Sequence, residues 1–518
     1  MLVSDIIRLN ALTYPSKTGF IFEERRFSFE QFNQRINLTA NALLDSGIQQ
    51  GDRIAVLDQN SIEYFCLYFA VSKIGAILVP INFWYRPNEV AYVINDSKPK
   101  MLFVGVEYYE NIKNFERELK TIQEIIILSE KSTNQHRNFN EFVKSVKSDE
   151  PDVFVSWEEP HLILYTSGTT GRPKGAILSQ KRTIMDALSM SLSLRIKPSD
   201  RFISFFPPFH VGLWDYAKLF WISGATVVLM KKFDAGNVLE TLEKERITFL
   251  LGVPTMLRSM MEHRRFNQVD ISSLRAFLYG SYDPTGVIER ITNAIKERVE
   301  HLDIFHLYGL TEGGPFVTVC QPDDIYHKWG TIGKPIPGVE VRLVDDADLE
   351  VKTGTAGEII FRGPMLDGYW EMPKETEHAK RGGWFHTGDI AVKDQDGFYF
   401  IVDRKKDMIR SGGQNIYSKE IEDCLKGNSS ILDCAVIGVP DEVYEEKVMA
   451  VIVLKQGITS TEDDIKNYVS QRMAGYNVPK EVEFVDELPK NAVGKTLKNE
   501  LRNRYGSLFA NIKRGEGK

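Results

Sequence analysis

The hydrophobic and polar positions of the chain alternate in two rhythms. Residues 29–46, FEQFNQRINLTANALLDS, repeat apolar positions with helical spacing, and Gly47 and Gly51 close the segment. RIAVLDQ then predicts a buried strand, Ile62 to Ile74 a helix, AILVPIN a strand, Asn88 to Asp96 a helix and MLFVG a further strand. The most apolar stretch, Phe65 to Trp84, is broken by Lys73 and Pro80, so it predicts a buried helix running into a strand, not a membrane span. Strand and helix alternate again in RFISFF, TVVLM and ITFLLGV, between Arg201 and Val253. That alternation predicts an α/β fold of parallel sheets covered by helices. From about residue 330 the texture changes to short strands between Gly-, Asp- and Pro-rich turns (VEVRLVD, GEIIFRG, GFYFIVDR), a β-rich subdomain. Beyond Arg404 a smaller α+β unit is expected, with AVIGVP, MAVIVLK and EVEFVD as strands. The expected division is therefore a large N-terminal domain over 1–403, a hinge at 404–406 and a small mobile C-terminal domain over 407–518.

Charge and cysteine content narrow the class. Lys plus Arg is 64 and Asp plus Glu is 71, giving a net charge of −7, which offers no global attraction for nucleic acid or an anionic membrane. Cys66, Cys320, Cys424 and Cys434 form no CxxC pair and predict buried thiols in a reducing compartment. The N-terminus has no basic segment followed by an apolar one, so a soluble, cytoplasmic protein is expected.

The strongest chemical signal is YTSGTTGRPKG at 165–175, directly after the apolar run HLILY. Three glycines and four hydroxyls (Thr166, Ser167, Thr169, Thr170) around one turn can close donors about phosphates, and Lys174 adds positive charge. The spacing excludes a Walker P-loop. Counting from Gly168, position 173 is proline where that motif requires glycine.

The segment resembles the phosphate loop of the adenylate-forming enzymes: acyl-CoA synthetases, luciferases and peptide-synthetase adenylation domains. Further motifs of that family follow in the same order: HLYGLTEGG at 306–314, GEIIFRGPMLDGYW at 357–370, GWFHTGDI at 383–390, DRKKDMIRSGGQNIYSKEIE at 403–422 and PKNAVGKTLKNEL at 489–501. The resemblance spans essentially the whole chain. It implies binding of ATP, Mg²⁺ and coenzyme A, and the motifs carry the family's roles onto residues of this sequence. Thr166, Ser167, Gly168, Thr169, Thr170, Gly171 and Lys174 would cradle the ATP phosphates. Tyr308 and Gly309 would lie at the adenine, Thr311 at the α-phosphate, and Glu312 would supply the hard oxygen that suits Mg²⁺. Asp389 and Arg404 would hold the ribose. Lys495 would bridge the carboxylate and the α-phosphate, where two anions are joined and positioning plus electrostatics dominate. Lys406 occupies the hinge position, and Gly412 and Gly413 the loop that approaches the pantetheine tunnel.

The acyl site is less legible. FFPPFHVGLWDYAKLFW at 205–221 resembles the segment lining the carboxylate pocket. His210 would stand near the acyl carboxylate or gate the tunnel, and Trp214 and FLYGSYDPT at 277–285 would wall the pocket. The sequence departs from the family pattern at Tyr282 and Asp283, and Ser418 replaces a proline with little expected consequence. The implied activity is an ATP-dependent acid–CoA ligase acting on a medium- or long-chain fatty acid, with an aromatic acid as the alternative. An acyl-AMP ligase loading a carrier protein and an inactive ligand-binding homologue are the other readings. The implied partners are the carboxylic acid, ATP and CoA, with no nucleic acid; a homodimer is left open.

Overall fold

The computed structural model describes residues 1–515 apart from 130–135, 167–172, 281–285, 315, 412–413, 442 and 491–495. The described residues fall into two compact units, one within 1–281, 287–341 and 361–385, the other within 342–360 and 386–518. Segment 404–406, expected as the hinge, lies inside the second unit.

The larger unit contains two α/β sheets. A seven-stranded sheet runs, in spatial order, Gly368–Tyr369, Lys174–Ser179, Pro160–Thr166, Ile77–Pro80, Arg53–Leu57, Met101–Gly105 and Glu124–Leu128. Its pairings from Pro160–Thr166 to Glu124–Leu128 are parallel. The first two strands join antiparallel. A nine-stranded sheet has a parallel centre, Asp303–Tyr308, Ala276–Tyr279, Phe249–Leu251, Arg201–Ser204, Thr226–Leu229 and Thr18–Phe22, with antiparallel strands at both ends.

The helix Ile62–Ile74 has the bounds expected from the sequence. Ser61 caps it by accepting the Tyr64 amide, and Gly75, at φ 73°, terminates it in the left-handed region. It is buried on every side except at Glu63, which is why its sequence shows an apolar run instead of an amphipathic stripe. Helix Val211–Ile222 is buried likewise, and between the two lies an aromatic core in which Phe20, Phe65 and Phe69 pack edge-on against Trp221. The four cysteines are free thiols; Cys66, Cys320 and Cys434 are buried as expected, whereas Cys424 is only half-buried.

His161 sits in this core, on the strand Pro160–Thr166, with Nε2 3.0 Å from the Thr183 hydroxyl. Complete burial, aided by Lys218 and Arg182, holds its pKa well below the ordinary 6.5, so it folds as the neutral ring. The unfolded chain takes up the proton first as pH falls, and stability is lost below about pH 6.5. This site contributes ~1.4 kcal/mol per pH unit down to its folded pKa. His161→Gln should therefore lose stability less steeply than the parent between pH 6.5 and 5. Urea denaturation across that range measures the difference, and equal slopes would exclude a neutral buried His161.

The smaller unit holds a five-stranded sheet built on the long antiparallel pair Ile431–Asp441 and Glu445–Leu454. Alternate residues serve opposite faces. Val436, Val448, Ala450 and Ile452 pack with Ile421 and Leu425 of helix Ser418–Lys426, whereas Ile437, Val439, Met449 and Val451 pack with Leu501 and Tyr505 of the C-terminal helix. Most of a four-stranded sheet also lies here (Glu340–Val344, Gly357–Arg362, Phe385–Lys393, Tyr399–Arg404), the β-rich segment expected from the sequence.

Candidate active site

In the larger unit the candidate residues are assembled by a hairpin. Thr166 ends one strand and Lys174 begins the next, paired with it in register, and the segment expected as the phosphate loop joins them in sequence. Ser167, Gly168, Thr169, Thr170 and Gly171 lie outside the described residues. The hairpin accepts a third strand: Gly368 pairs with Ile177 and Tyr369 with Ala176, while the Trp370 amide donates to the Gly175 carbonyl at 2.8 Å. Gly175 has to be small, because a Cβ there would come within 2.8 Å of Ile163.

Thr311 and Glu312 lie on a short 3₁₀ turn, Thr311–Gly313, soon after the strand that ends at Tyr308; Gly314 closes the turn at φ 69°. Three bonds fix it. The Leu366 amide donates to the Glu312 carbonyl at 2.7 Å, and the Thr166 hydroxyl and the Tyr369 phenol donate to Glu312 Oε1 at 3.3 and 3.2 Å. Burial, reinforced by the Glu312 carboxylate, pushes the Tyr369 phenol well above its usual range, so it stays a donor at neutral pH. Lys174 lies over the Tyr369 ring, its ammonium 5.6 Å from the centroid. Tyr369 thus joins Lys174 to Glu312. Its place in the GYW end of the 357–370 motif was the available signal, but nothing in residue type alone pointed to it.

His210 caps the helix Val211–Ile222. Its Nδ1 accepts the Gly212 amide at 3.0 Å, so the neutral ring carries its proton on Nε2. The ring is accessible, yet the protein around it disfavours the imidazolium and holds the pKa below 6.5. Trp214 corrects the sequence reading. It is 1% exposed, stacked on Tyr68 at 4.3 Å with its indole N–H on the Pro208 carbonyl, and so packs within the core and not on an accessible surface. Tyr282 and Asp283 lie outside the described residues. Lys218, the one cation of segment 205–221, is wholly buried and paired with Asp215, with Asp186 at 3.9 Å.

In the smaller unit Asp389 and Arg404 face each other across an antiparallel pair, with Arg404 Nε 2.9 Å from Asp389 Oδ1. Thr387 positions the aspartate: its hydroxyl accepts the Asp389 amide at 3.0 Å and donates to the Ile359 carbonyl at 2.8 Å. Gly388, at φ 70°, makes the turn, and its carbonyl accepts the Lys405 amide. Lys406 is exposed on the next turn, where the Asp407 amide donates to the Arg404 carbonyl. Ser418 matters more than its sequence suggested. Fully buried, it donates to Asp403 and accepts from Lys498, both at 2.8 Å, bonds a proline could not make. Gly412, Gly413 and Lys495 lie outside the described residues.

Two family matches bear on this arrangement: AMP-binding enzyme over residues 7–370, and the AMP-binding enzyme C-terminal domain over 420–495. The chain belongs to the AMP-binding enzyme family. Within it, the chain is 35% identical to a feruloyl-CoA synthase of Amycolatopsis sp, over 95% of this chain and 96% of the relative. It is 32% identical to the long-chain-fatty-acid–CoA ligase FadD13 of Mycobacterium tuberculosis, over 96% of both. Among solved structures it resembles the anthranilate CoA ligase AuaEII in complex with anthranoyl-AMP, with a TM-score of 0.87, 30% identity and 98% of each chain covered. The fold is the α/β architecture of this family, as the motif order implied. Among the described residues no helix is long and apolar enough to cross a membrane.

Proposed function

We propose that this family member is an acid–CoA ligase for an apolar monocarboxylic acid, which it activates with ATP as the acyl-adenylate before thioester formation. In the first step a carboxylate oxygen bonds to the α-phosphorus as the bond to the β-phosphate bridging oxygen breaks, and pyrophosphate leaves. In the second the CoA sulfur, its thiol proton lost, bonds to the acyl carbon as the acyl–oxygen bond breaks, and AMP leaves.

The chain's residues would divide this work. The hydroxyls, amides and Lys174 of segment 166–174 bind phosphates, Thr311 the α-phosphate, Tyr308 and Gly309 the adenine, and Asp389 with Arg404 the ribose. His210, presenting Nε2–H, orients the acyl carboxylate by hydrogen bonding. Lys495 bridges the two reacting anions, and rotation about Lys406 brings Gly412 and Gly413 to the pantetheine. Mg²⁺ would neutralise charge on the phosphates. Among the described residues no three His, Cys, Asp or Glu side chains cluster to hold a metal unaided. Mg²⁺ ordinarily takes one or two carboxylates, water and substrate phosphates, and Glu312 beside two hydroxyls fits that lighter set.

One observation carries the substrate reading. The only cation in segment 205–221 is already neutralised in the core by Asp215, so that segment offers a second substrate carboxylate no partner. Desolvating such an anion unpaired costs several kcal/mol, whereas each buried methylene of an apolar acid contributes ~0.8 kcal/mol. The names of the relatives support both apolar classes, feruloyl and anthraniloyl on one side and long-chain fatty acyl on the other. Pyrophosphate release should be measured for acetate, octanoate, palmitate, benzoate, ferulate and succinate, with and without CoA. An aromatic or fatty acid should exceed acetate and succinate in kcat/KM by at least ~10-fold, with AMP and thioester formed only when CoA is present. Preference for acetate or succinate would reject this pocket, and release without any thioester would favour a carrier-protein acceptor.

A further inference from the structure

Behind the Thr311–Glu312 turn lies a group of charged side chains that the reaction scheme above does not use. Arg182, on the helix Gln180–Ser193 that directly follows the hairpin, is 3% exposed. Its Nη2 donates to the Thr311 carbonyl at 3.1 Å, while Nε and Nη1 have no hydrogen-bond partner among the described residues. The turn leaves room for it: a Cβ on Gly314 would come within 2.8 Å of Nη2, and the backbone there is left-handed besides. Asp186 and Asp367 balance its charge, with the Glu312 carboxylate also within electrostatic reach. Asp367 in turn accepts the Ser179 amide at 2.6 Å, one residue before this helix begins. A guanidinium in this position costs desolvation without forming a direct ion pair, a poor device for stability alone. It does make one backbone contact, and that contact is to the residue beside the proposed Mg²⁺ ligand.

We infer that Arg182 is a positioning residue for adenylation, holding the Thr311–Glu312 turn against the hairpin that bears the phosphate loop. The inference rests on the ligase reading above and adds to it a residue that touches neither substrate nor metal. Its geometric consequence is specific. Without the bond the Thr311 carbonyl keeps only the long 3.4 Å bond from the Gly314 amide, the turn relaxes, and Thr311 and Glu312 move relative to Thr166; displacements of about 1 Å at such groups can cost on the order of 10²-fold in rate.

The test compares wild type, R182M and R182K in acid-dependent ATP–pyrophosphate exchange, and in CoA attack on supplied acyl-adenylate. R182M is expected to lower kcat for exchange by roughly 30- to 100-fold, with KM for the acid and the thioester step each changed less than about 3-fold. R182K, which keeps the charge and one donor, should recover part of the exchange rate. Equal losses in both half-reactions, or exchange at the wild-type rate, would overturn the inference while leaving the ligase reading intact. A wild-type protein that exchanges pyrophosphate with no acid would overturn both. If R182M lacks a cooperative thermal transition, R182K decides: a selective loss of exchange supports positioning, and wild-type exchange rejects it.

Discussion

Lys495→Ala is expected to abolish adenylate formation almost completely while leaving CoA attack on supplied acyl-adenylate within about 3-fold of wild type. The first half-reaction brings a carboxylate against a polyphosphate. A cation about 4 Å from the developing charge, at an effective dielectric near 20, contributes about 4 kcal/mol. That corresponds to a loss on the order of 10³-fold when it is removed. In the second half-reaction a sulfur attacks an acyl carbon whose leaving group is already AMP, and no such repulsion between two reacting anions has to be overcome. The two losses should therefore differ by two orders of magnitude or more. Pyrophosphate exchange and single-turnover thioester formation from synthetic adenylate measure them separately. If both fell together, Lys495 would be acting on the fold or on the movement of the small domain, and its placement at the α-phosphate would be wrong.

What the sequence made legible was mostly local. Helix Ile62–Ile74 was bounded by a serine cap and a terminating glycine, and both signals lie within one turn of the helix ends. The alternation of strand and helix gave the sheet class but not the sheet order: Arg201–Ser204 lies between Phe249–Leu251 and Thr226–Leu229, a crossover no local pattern encodes. Hydrophobicity also could not separate core from pocket. Trp214 read as a pocket wall because its segment resembles a pocket lining, yet helical geometry turns it onto Tyr68. Arg182 posed the opposite problem. In a helix that opens Gln-Lys-Arg and carries three serines, an arginine reads as solvated surface, and the packing of that helix beneath the Thr311–Gly313 turn buries it. Ser418 read as a neutral replacement of proline because its partners, Asp403 and Lys498, lie 15 and 80 residues away. Tertiary contacts of that kind leave no periodic trace in the chain.

Glu312→Gln should reduce adenylation by on the order of 10²-fold, the scale of losing one preorganised electrostatic contact at a reacting phosphate, with little change in stability. The substitution keeps the volume and one carbonyl oxygen. The Thr166 hydroxyl at 3.3 Å and the Tyr369 phenol at 3.2 Å can therefore still donate, and the Leu366 amide holds the backbone at 2.7 Å as before. What disappears is the negative charge, and with it the hard anionic oxygen that suits Mg²⁺. Geometry is retained and charge is lost, so a fall in rate reports electrostatics and not collapse of the turn. The side chain is only half-buried and both donors keep an acceptor, so the stability change should stay near the net value of one hydrogen bond, about 1 kcal/mol. The Mg²⁺ dependence separates the two explanations further. A weakened metal site should need several-fold more Mg²⁺ for half-maximal exchange, whereas a misplaced turn should lower the plateau without moving the midpoint. Tyr369→Phe provides the control, since it removes a donor to Glu312 but leaves the carboxylate in place, and it should cost less than about 10-fold. Wild-type exchange by Glu312→Gln at low Mg²⁺ would remove this carboxylate from the metal site and with it the charge argument for the Thr311–Glu312 turn.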